Sequence, residues 1–359
     1  MLAAAPVVLL VALAASSAPP AAGPVSSAAR TGFDHVVLVS VDGCRPDAID
    51  GPEDGPLPGF RRVLRGPHTL QARADADTTV TVPNHVSMVT GRPVAGPSGH
   101  GWRENTDPPA ARHGGTLHKQ AGAYVSSMFD VAHDHGLATA AVVTKPKFAI
   151  LAQSFDAANG APDATGTDDG RGKIDLYACA RTSRMAREAT VSWLRSGLPR
   201  SLTLLHFAAP DAAGHGSGWD MAPGSAYRKG IAEVDAELDA LLAAIDADDR
   251  LRGKVAVVLT ADHGGGVPAR NHTEAREPVN FLVPLAVWLG ADGPSVELAA
   301  ANADTRTVLP ADRHAGNDIT PPPIRTAEAG NVALQLLGLP PIPGSVANAR
   351  QDLRLGASP

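Results

Sequence analysis

The chain has 359 residues, enough for two average domains or one large α/β domain at roughly 150 residues per domain. With 44% hydrophobic and 19% charged residues, and with its 36 glycines and 31 prolines below the share of a low-complexity chain, it excludes disorder, collagen and coiled coil. Lysine and arginine number 31 against 37 aspartates and glutamates, a net charge of −6, which argues against a stable complex with nucleic acid.

Residues 1–29 carry an apolar run at 7–15 followed by small residues, the pattern of a cleaved signal peptide, although no Lys or Arg precedes the run. This reading predicts a secreted or periplasmic protein. The run is too short to cross a bilayer, which takes about 20 apolar residues, and no later stretch reaches that length without charge or proline. Residues 31–359 read as a single catalytic domain. Within it, His35–Val41 is a continuous apolar, β-branched run, the mark of a strand buried on both faces of a parallel sheet. Residues 138–144, 201–207 and 254–260 read the same way. Apolar positions spaced three and four apart predict helices over 178–194, 230–246 and 325–337, while 159–172 and 294–321 read as loops. Strands alternating with helices predict an α/β fold with a mostly parallel central sheet and helices on both faces.

Cys44 and Cys179 are too few for a disulfide framework or a four-thiolate zinc site, although they allow one bridge. Any metal must therefore be held mainly by nitrogen and oxygen. In open α/β sheets ligands bind beyond the carboxyl ends of the strands, and here each of three such ends exits with a carboxylate. Asp42 follows the first strand, Asp211 and His215 follow 201–207, and Asp262 and His263 follow 254–260, with His272 nine residues after His263. These six nitrogen and oxygen donors suffice for two divalent cations, and the mixed Asp/His set suits zinc, or manganese, better than calcium or magnesium. Residues 78–91 add TTVTVPNHVSMVTG, in which Pro83 puts Thr81 at a helix amino terminus, where a cation and the helix dipole can activate its hydroxyl. Asn84, one turn on, is a candidate donor to a phosphoryl oxygen.

In this order the pieces resemble the alkaline phosphatase superfamily, most closely its type I phosphodiesterase/nucleotide pyrophosphatase branch. The segment 81–91, with GHGWREN at 99–105 behind it, is similar to the nucleophile region of that branch. The resemblance implies an alkaline phosphatase-like domain with a two-zinc site. Asp42, Asp262 and His263 would hold one ion together with Thr81, and Asp211, His215 and His272 the other. Thr81 would attack phosphorus to give a phospho-threonine that water then opens, and Asn84 would bind the phosphoryl oxygen. His85, His100 and Asn105 would position backbone, and His133, His135 and His206 are left as core or surface residues. The last histidine lies closer to the Asp262-His263 pair than in vertebrate-type nucleotide pyrophosphatases, which keeps His314 as an alternative to His272.

The expected function is hydrolysis of phosphodiester or pyrophosphate bonds in a small-molecule phosphoester. No arginine lies inside the nucleophile segment, which suits a singly charged diester better than a doubly charged monoester. Two alternatives stay open within the superfamily, a phosphomonoesterase and a sulfatase-like hydrolase, and one outside it, a secreted metal-binding protein without turnover. Natural substrate and oligomeric state are not legible in the sequence.

Overall fold

Every residue of His35–Val41 is buried, and this strand, β1, forms the middle of an eight-stranded sheet. The other strands are β2 (Pro67–Arg73), β3 (Ala138–Val143), β4 (Leu176–Cys179), β5 (Ser201–Phe207), β6 (Val255–Thr260), β7 (Leu282–Trp288) and β8 (Val296–Glu297). The computed structural model describes residues 32–51, 56–106, 115–291 and 293–356, so the leader expected at 1–29 lies outside the described residues. No helix among those described is long and apolar enough to cross a membrane.

The strand order is β4-β3-β5-β1-β6-β7-β2-β8. β1 runs parallel to β5 and β6, β3 runs parallel to β4 and β5, and only β7 is antiparallel to its neighbours β6 and β2. The sheet is thus mixed but mostly parallel, as the sequence predicts. β5 and β6 are buried throughout, like β1, which explains their unbroken apolar runs: a strand covered on both sides has no polar face to alternate with. Register then levels the strand ends. Val41 pairs with Phe207 and Ser40 with Thr260, so the segments that follow β1, β5 and β6 emerge together along one edge.

The helices fall into two groups. Ser183–Leu194, Ala209–Ser217, Ala226–Asp246 and Pro58–Val63 pack among themselves, while Thr81–Thr90, Met128–Asp134 and Ala329–Leu336 form a second group. Both groups reach the central strands. In Ala226–Asp246 the residues Ile231, Val234, Leu238, Leu241, Leu242 and Ile245 form the buried stripe expected from their spacing.

Two elements differ from expectation, and a third, β7, was not anticipated. Residues 176–179 form β4, and the following helix starts only at Ser183, where the Thr182 side chain accepts the Met185 N–H as an N-cap. β7 contains Pro284, which argues against a strand flanked on both sides. The register of β2 against β7 shifts between Thr69 and Ala72, opposite Pro284, and this irregularity accommodates the missing N–H. The loop expected over 294–321 carries β8 and the short helix Leu298–Ala301. Cys44 is buried and Cys179 exposed, and neither forms a disulfide, so the bridge their number allows is not formed.

Candidate active site

Asp42 leaves β1 and Asp262 leaves β6, and the turn between them depends on glycine. Gly43 has φ 70°, a conformation that side chains other than glycine's adopt only with strain, and its N–H donates to Asp262 Oδ1 at 3.1 Å. The His263 N–H donates to the same oxygen at 3.0 Å. Asp211 sits in the first turn of Ala209–Ser217, and His215, four residues on, lies on the same helix face. His272 arrives on the loop after β6.

The three histidines share one arrangement. Nδ1 of His263 lies 2.7 Å from the Gly264 carbonyl, Nδ1 of His215 lies 2.9 Å from that of Arg270, and Nδ1 of His272 lies 2.5 Å from that of Thr79. A nitrogen facing a carbonyl must donate, so each Nε2 is left as the acceptor and points inward, the tautomer that binds a metal. His263 Nε2 lies 3.2 Å from Asp262 Oδ2, 3.6 Å from Asp42 Oδ1 and 3.3 Å from Thr81 Oγ. His272 Nε2 lies 3.2 Å from His215 Nε2 and 3.6 Å from Asp211 Oδ1, and His215 Nε2 lies 3.4 Å from that same Asp211 oxygen. The two sets abut where the His263 and His272 rings stack with centroids 3.6 Å apart.

The carboxylates identify what this arrangement accepts. Asp42 Oδ1, Asp211 Oδ1 and Asp262 Oδ2 are buried and have no hydrogen-bond partner. Leaving such oxygens bare is costly, and all three face imidazole nitrogens that are themselves acceptors. Acceptors converging on acceptors call for a cation between them. The donor atoms of Asp42, Asp262 and His263 lie within 4.8 Å of one another, as do those of Asp211, His263 and His272. Burial and the neighbouring Asp42 push the Asp262 carboxyl well above the usual carboxylate range. The residues present therefore fit divalent metal ions.

Thr81 is the first residue of the helix Thr81–Thr90 and is buried beside His263, as the Pro83 signal predicts. The sequence also brings Asn84 into this helix, but the structure gives Asn84 a different task. Its Oδ1 accepts the Asp75 N–H at 2.8 Å, and its Nδ2 donates to the carbonyls of Thr78 and Val80 at 2.9 and 3.1 Å. Both amide hydrogens are spent on the loop before the helix, so Asn84 has none left for a phosphoryl oxygen. Asn105 is the contrast. Its Oδ1 accepts the Val82 N–H at 3.2 Å, which docks it on the helix Thr81–Thr90, and its Nδ2 has no acceptor among the described residues. His85 bonds the Thr81 carbonyl and Ser40 Oγ, and His100 bonds Ser87 Oγ and the Trp102 N–H, so both hold backbone in place. His314 bonds the Ala76 carbonyl and stands against Phe281, whereas His272 is within reach of His215 and Asp211.

Sequence reasoning did not single out Lys145 or Trp219, and it left His206 as a core or surface residue. Lys145, just past β3, places Nζ 2.6 Å from Asp42 Oδ2 and 2.5 Å from Asp211 Oδ2, the partners of the carboxylate oxygens that lie nearest His263, His272 and His215. Burial opposes its charge, but Asp42 and Asp211 outweigh that and hold its pKa above that of an ordinary lysine. The rule that finds site residues beyond strand ends would have found Lys145 had it been applied to cations as well as to acids and histidines. His206, inside β5, accepts the Thr144 N–H on Nδ1 and donates from Nε2 to Asp42 Oδ2 at 3.0 Å. Burial works against the ionised form of Asp42, yet Lys145 and His206 hold its carboxyl well below the usual range. Trp219 donates to the Gly43 carbonyl at 3.2 Å and stands edge-on to His215 and His272, and any Cβ at Gly265 would overlap its indole. Elsewhere His133, Asp163 and Asp169 form an acidic cluster, but the Lys173 ammonium bonds Asp163 and fills it.

The family model for type I phosphodiesterase / nucleotide pyrophosphatase matches residues 36–274, a span that holds every residue of this centre. The chain belongs to that family. It is accordingly a hydrolase of phosphoester bonds, from a metal-dependent family, with a small-molecule phosphoester as the substrate type that fits. No curated protein matches the sequence. Among solved structures, an alkaline phosphatase superfamily protein from Vibrio parahaemolyticus is similar with a TM-score of 0.55 and 12% identity, over 89% of this chain and 70% of that one. A 2-O GAG sulfatase is similar with a TM-score of 0.54 and 13% identity, over 91% and 76%. Murine ectonucleotide pyrophosphatase / phosphodiesterase 5 shares 23% identity over 64% of this chain and 57% of that one, with a TM-score of 0.43. The first two likenesses establish an alkaline phosphatase-like fold and nothing narrower.

Proposed function

We propose that the chain is an exported phosphodiesterase that opens phosphodiester or pyrophosphate bonds with Thr81 as nucleophile. The observation that carries this reading is the convergence of three unpartnered carboxylate oxygens and three imidazole Nε2 atoms beside the Thr81 hydroxyl. Asp42, Asp262 and His263 would hold one divalent cation and Asp211, His215 and His272 a second. Zinc suits this nitrogen-rich set, with manganese as the alternative, and the pair would supply Lewis acidity to the attacking and departing oxygens.

The chain's own residues do the rest. The start of the helix favours the ionised Thr81 hydroxyl, which would give its proton to solvent, and its oxygen attacks phosphorus in line with the departing ester oxygen, which leaves as the free alcohol or phosphate. The new bond is a phospho-threonine, and water opens it and returns the hydroxyl. Asn105 Nδ2 replaces Asn84 as donor to the non-bridging oxygen, since it faces no acceptor among the described residues. Thr81 cannot become the formylglycine of a sulfatase, which sets the sulfatase-like alternative behind a phosphoesterase. Residues 1–29 would serve as the export signal of a single catalytic domain over 31–359.

The test is a paired assay of metal-replete protein on bis-p-nitrophenyl phosphate and p-nitrophenyl phosphate, with and without a chelator. Chelator-sensitive turnover of the diester is expected. Chelator-insensitive turnover, or none on either ester, would sink the reading.

A further inference from the structure

A cavity of about 220 Å³ opens among the loop that follows β2, the loop before the turn Thr326–Glu328 and the residues after Ala329–Leu336. None of its lining residues belongs to the centre around Thr81. Its walls are largely apolar, with Pro93, Ile319, Pro322 and Val346 among them. Two buried charged side chains line it as well, Asp75 and Arg325, 4% and 9% exposed.

These two charges are neighbours that do not pair with each other. Arg325 donates from Nη1 to the carbonyl of Ala74, the residue before Asp75, at 2.9 Å, and from Nη2 to the carbonyls of Ala315 and Gly316 at 2.6 and 2.9 Å. Its Nε has no acceptor among the described residues. Asp75 accepts the Asp77 N–H on Oδ1 at 2.8 Å and the Val94 N–H on Oδ2 at 2.9 Å, which leaves a lone pair on each oxygen. Glu328, the third charged residue of the lining, is already paired with Arg306 at 2.9 Å. A buried acid and a buried guanidinium thus line one cavity with only backbone dipoles to hold their charges, and both keep hydrogen-bonding capacity.

Size and charge select the occupant. A cavity of roughly 150 Å³ holds a benzene ring, and drug-sized ligands take about 300 Å³ or more, so the space here suits one ring with a small substituent. Opposite charges in one wall oppose a charged ligand of either sign, because a cation meets Arg325 and an anion meets Asp75. An uncharged group with an N–H donor beside a carbonyl oxygen serves both through charge-assisted hydrogen bonds. We propose that this cavity is a second ligand site, which takes a single-ring, uncharged molecule with an amide edge, its N–H on Asp75 and its carbonyl oxygen on Arg325. The site does not depend on the phosphoesterase reading.

The test titrates the metal-replete full chain by calorimetry with benzamide, benzoate and benzamidine, which share the ring and present an amide, an anionic and a cationic edge. Benzamide is expected to bind with a Kd of about 1 mM, the level a ligand of this size reaches, and about tenfold or more tighter than the other two. Ile319→Trp and Ala347→Leu, which add bulk to the cavity wall, are each expected to weaken benzamide about fivefold or more without lowering the melting temperature. Ala347→Leu is the milder change and decides the point if Ile319→Trp does not fold. No benzamide binding at about 10 mM, equal affinity for the three probes, or undiminished binding in a folded variant would each overturn the proposal. A wild type that cleaved neither phosphoester would sink the phosphoesterase reading and leave these affinities to decide the second site.

Discussion

The ammonium of Lys145 lies 2.6 Å from Asp42 Oδ2 and ties the carboxylate leaving β1 to Asp211 beyond β5, while the opposite oxygen of each carboxylate has no partner. Lys145 is thus the internal counterion of three crowded acids. Its removal should matter most when no metal is bound. Lys145→Met is expected to cost roughly 3 kcal/mol or more in the presence of a chelator, the typical penalty for breaking a buried ion pair, and clearly less with metal loaded. Thermal unfolding with and without chelator reads the difference, and equal losses in both states would refute the role.

Thr81 and His215 separate chemistry from metal holding. Thr81→Ala removes the hydroxyl beside His263 and is expected to lower kcat by about 1,000-fold or more while most of the metal is retained. His215→Ala should lose both metal and turnover, as measured by elemental analysis and diester assay. Full activity in Thr81→Ala would exclude the threonine mechanism.

The two asparagines should behave oppositely. Asn105→Ala is expected to lower kcat by about 100- to 1,000-fold, the usual loss for one oxyanion donor, with little change in melting temperature. Asn84→Ala leaves the Asp75 N–H and the Thr78 carbonyl without the partners Asn84 gives them, while the Val80 carbonyl still accepts the N–H of residue 84, and should cost about 2–3 kcal/mol of stability. The reverse pattern would return Asn84 to the chemistry.

A pH effect on stability is expected away from the centre. Asp235 accepts the Phe60 N–H at 2.8 Å, and burial, with the charge of Asp239, raises its carboxyl to about 6. Its folded pKa exceeds its unfolded one of about 3.9, so the stability that its protonated form contributes is complete below pH 4 and lost as the pH rises through 6. Asp235→Asn cannot ionise, and its stability relative to wild type should therefore increase between about pH 4 and pH 7. Melting temperatures of the two proteins across that range check the sign, and a constant or falling difference contradicts it.

β1, β5 and β6 could be read from sequence because burial on both faces leaves an unbroken apolar run, and the polar residue ending each run then marks the site edge. Asp42, Asp211 and Asp262 were legible for that reason. Lys145 was not, because one lysine after a strand has no partner at a fixed spacing and only the neighbouring of β3 and β5 brings it to Asp211. His206 was hidden by its place inside an apolar strand. The exchange of Asn84 for Asn105 turns on which amide hydrogens the backbone has already claimed, and that depends on how the loop before Thr81 folds back. β7 is not legible in the sequence, because Pro284 argues against a strand flanked on both sides and the irregularity in β2 that tolerates it belongs to another part of the chain.

The strands that deliver the site, β3, β5, β1 and β6, are four successive neighbours in the sheet, yet β1 comes first in the chain and β6 sixth. Pairings between such distant segments form slowly, and here the last of them also delivers Asp262, His263 and His272. A nascent chain that ends before β6 has Asp42, Asp211 and Lys145 but neither His263, the histidine beside Thr81, nor the third carboxylate. On the proposed reading, a chain truncated before β6 lacks Asp262, His263 and His272 together and is expected to show no turnover.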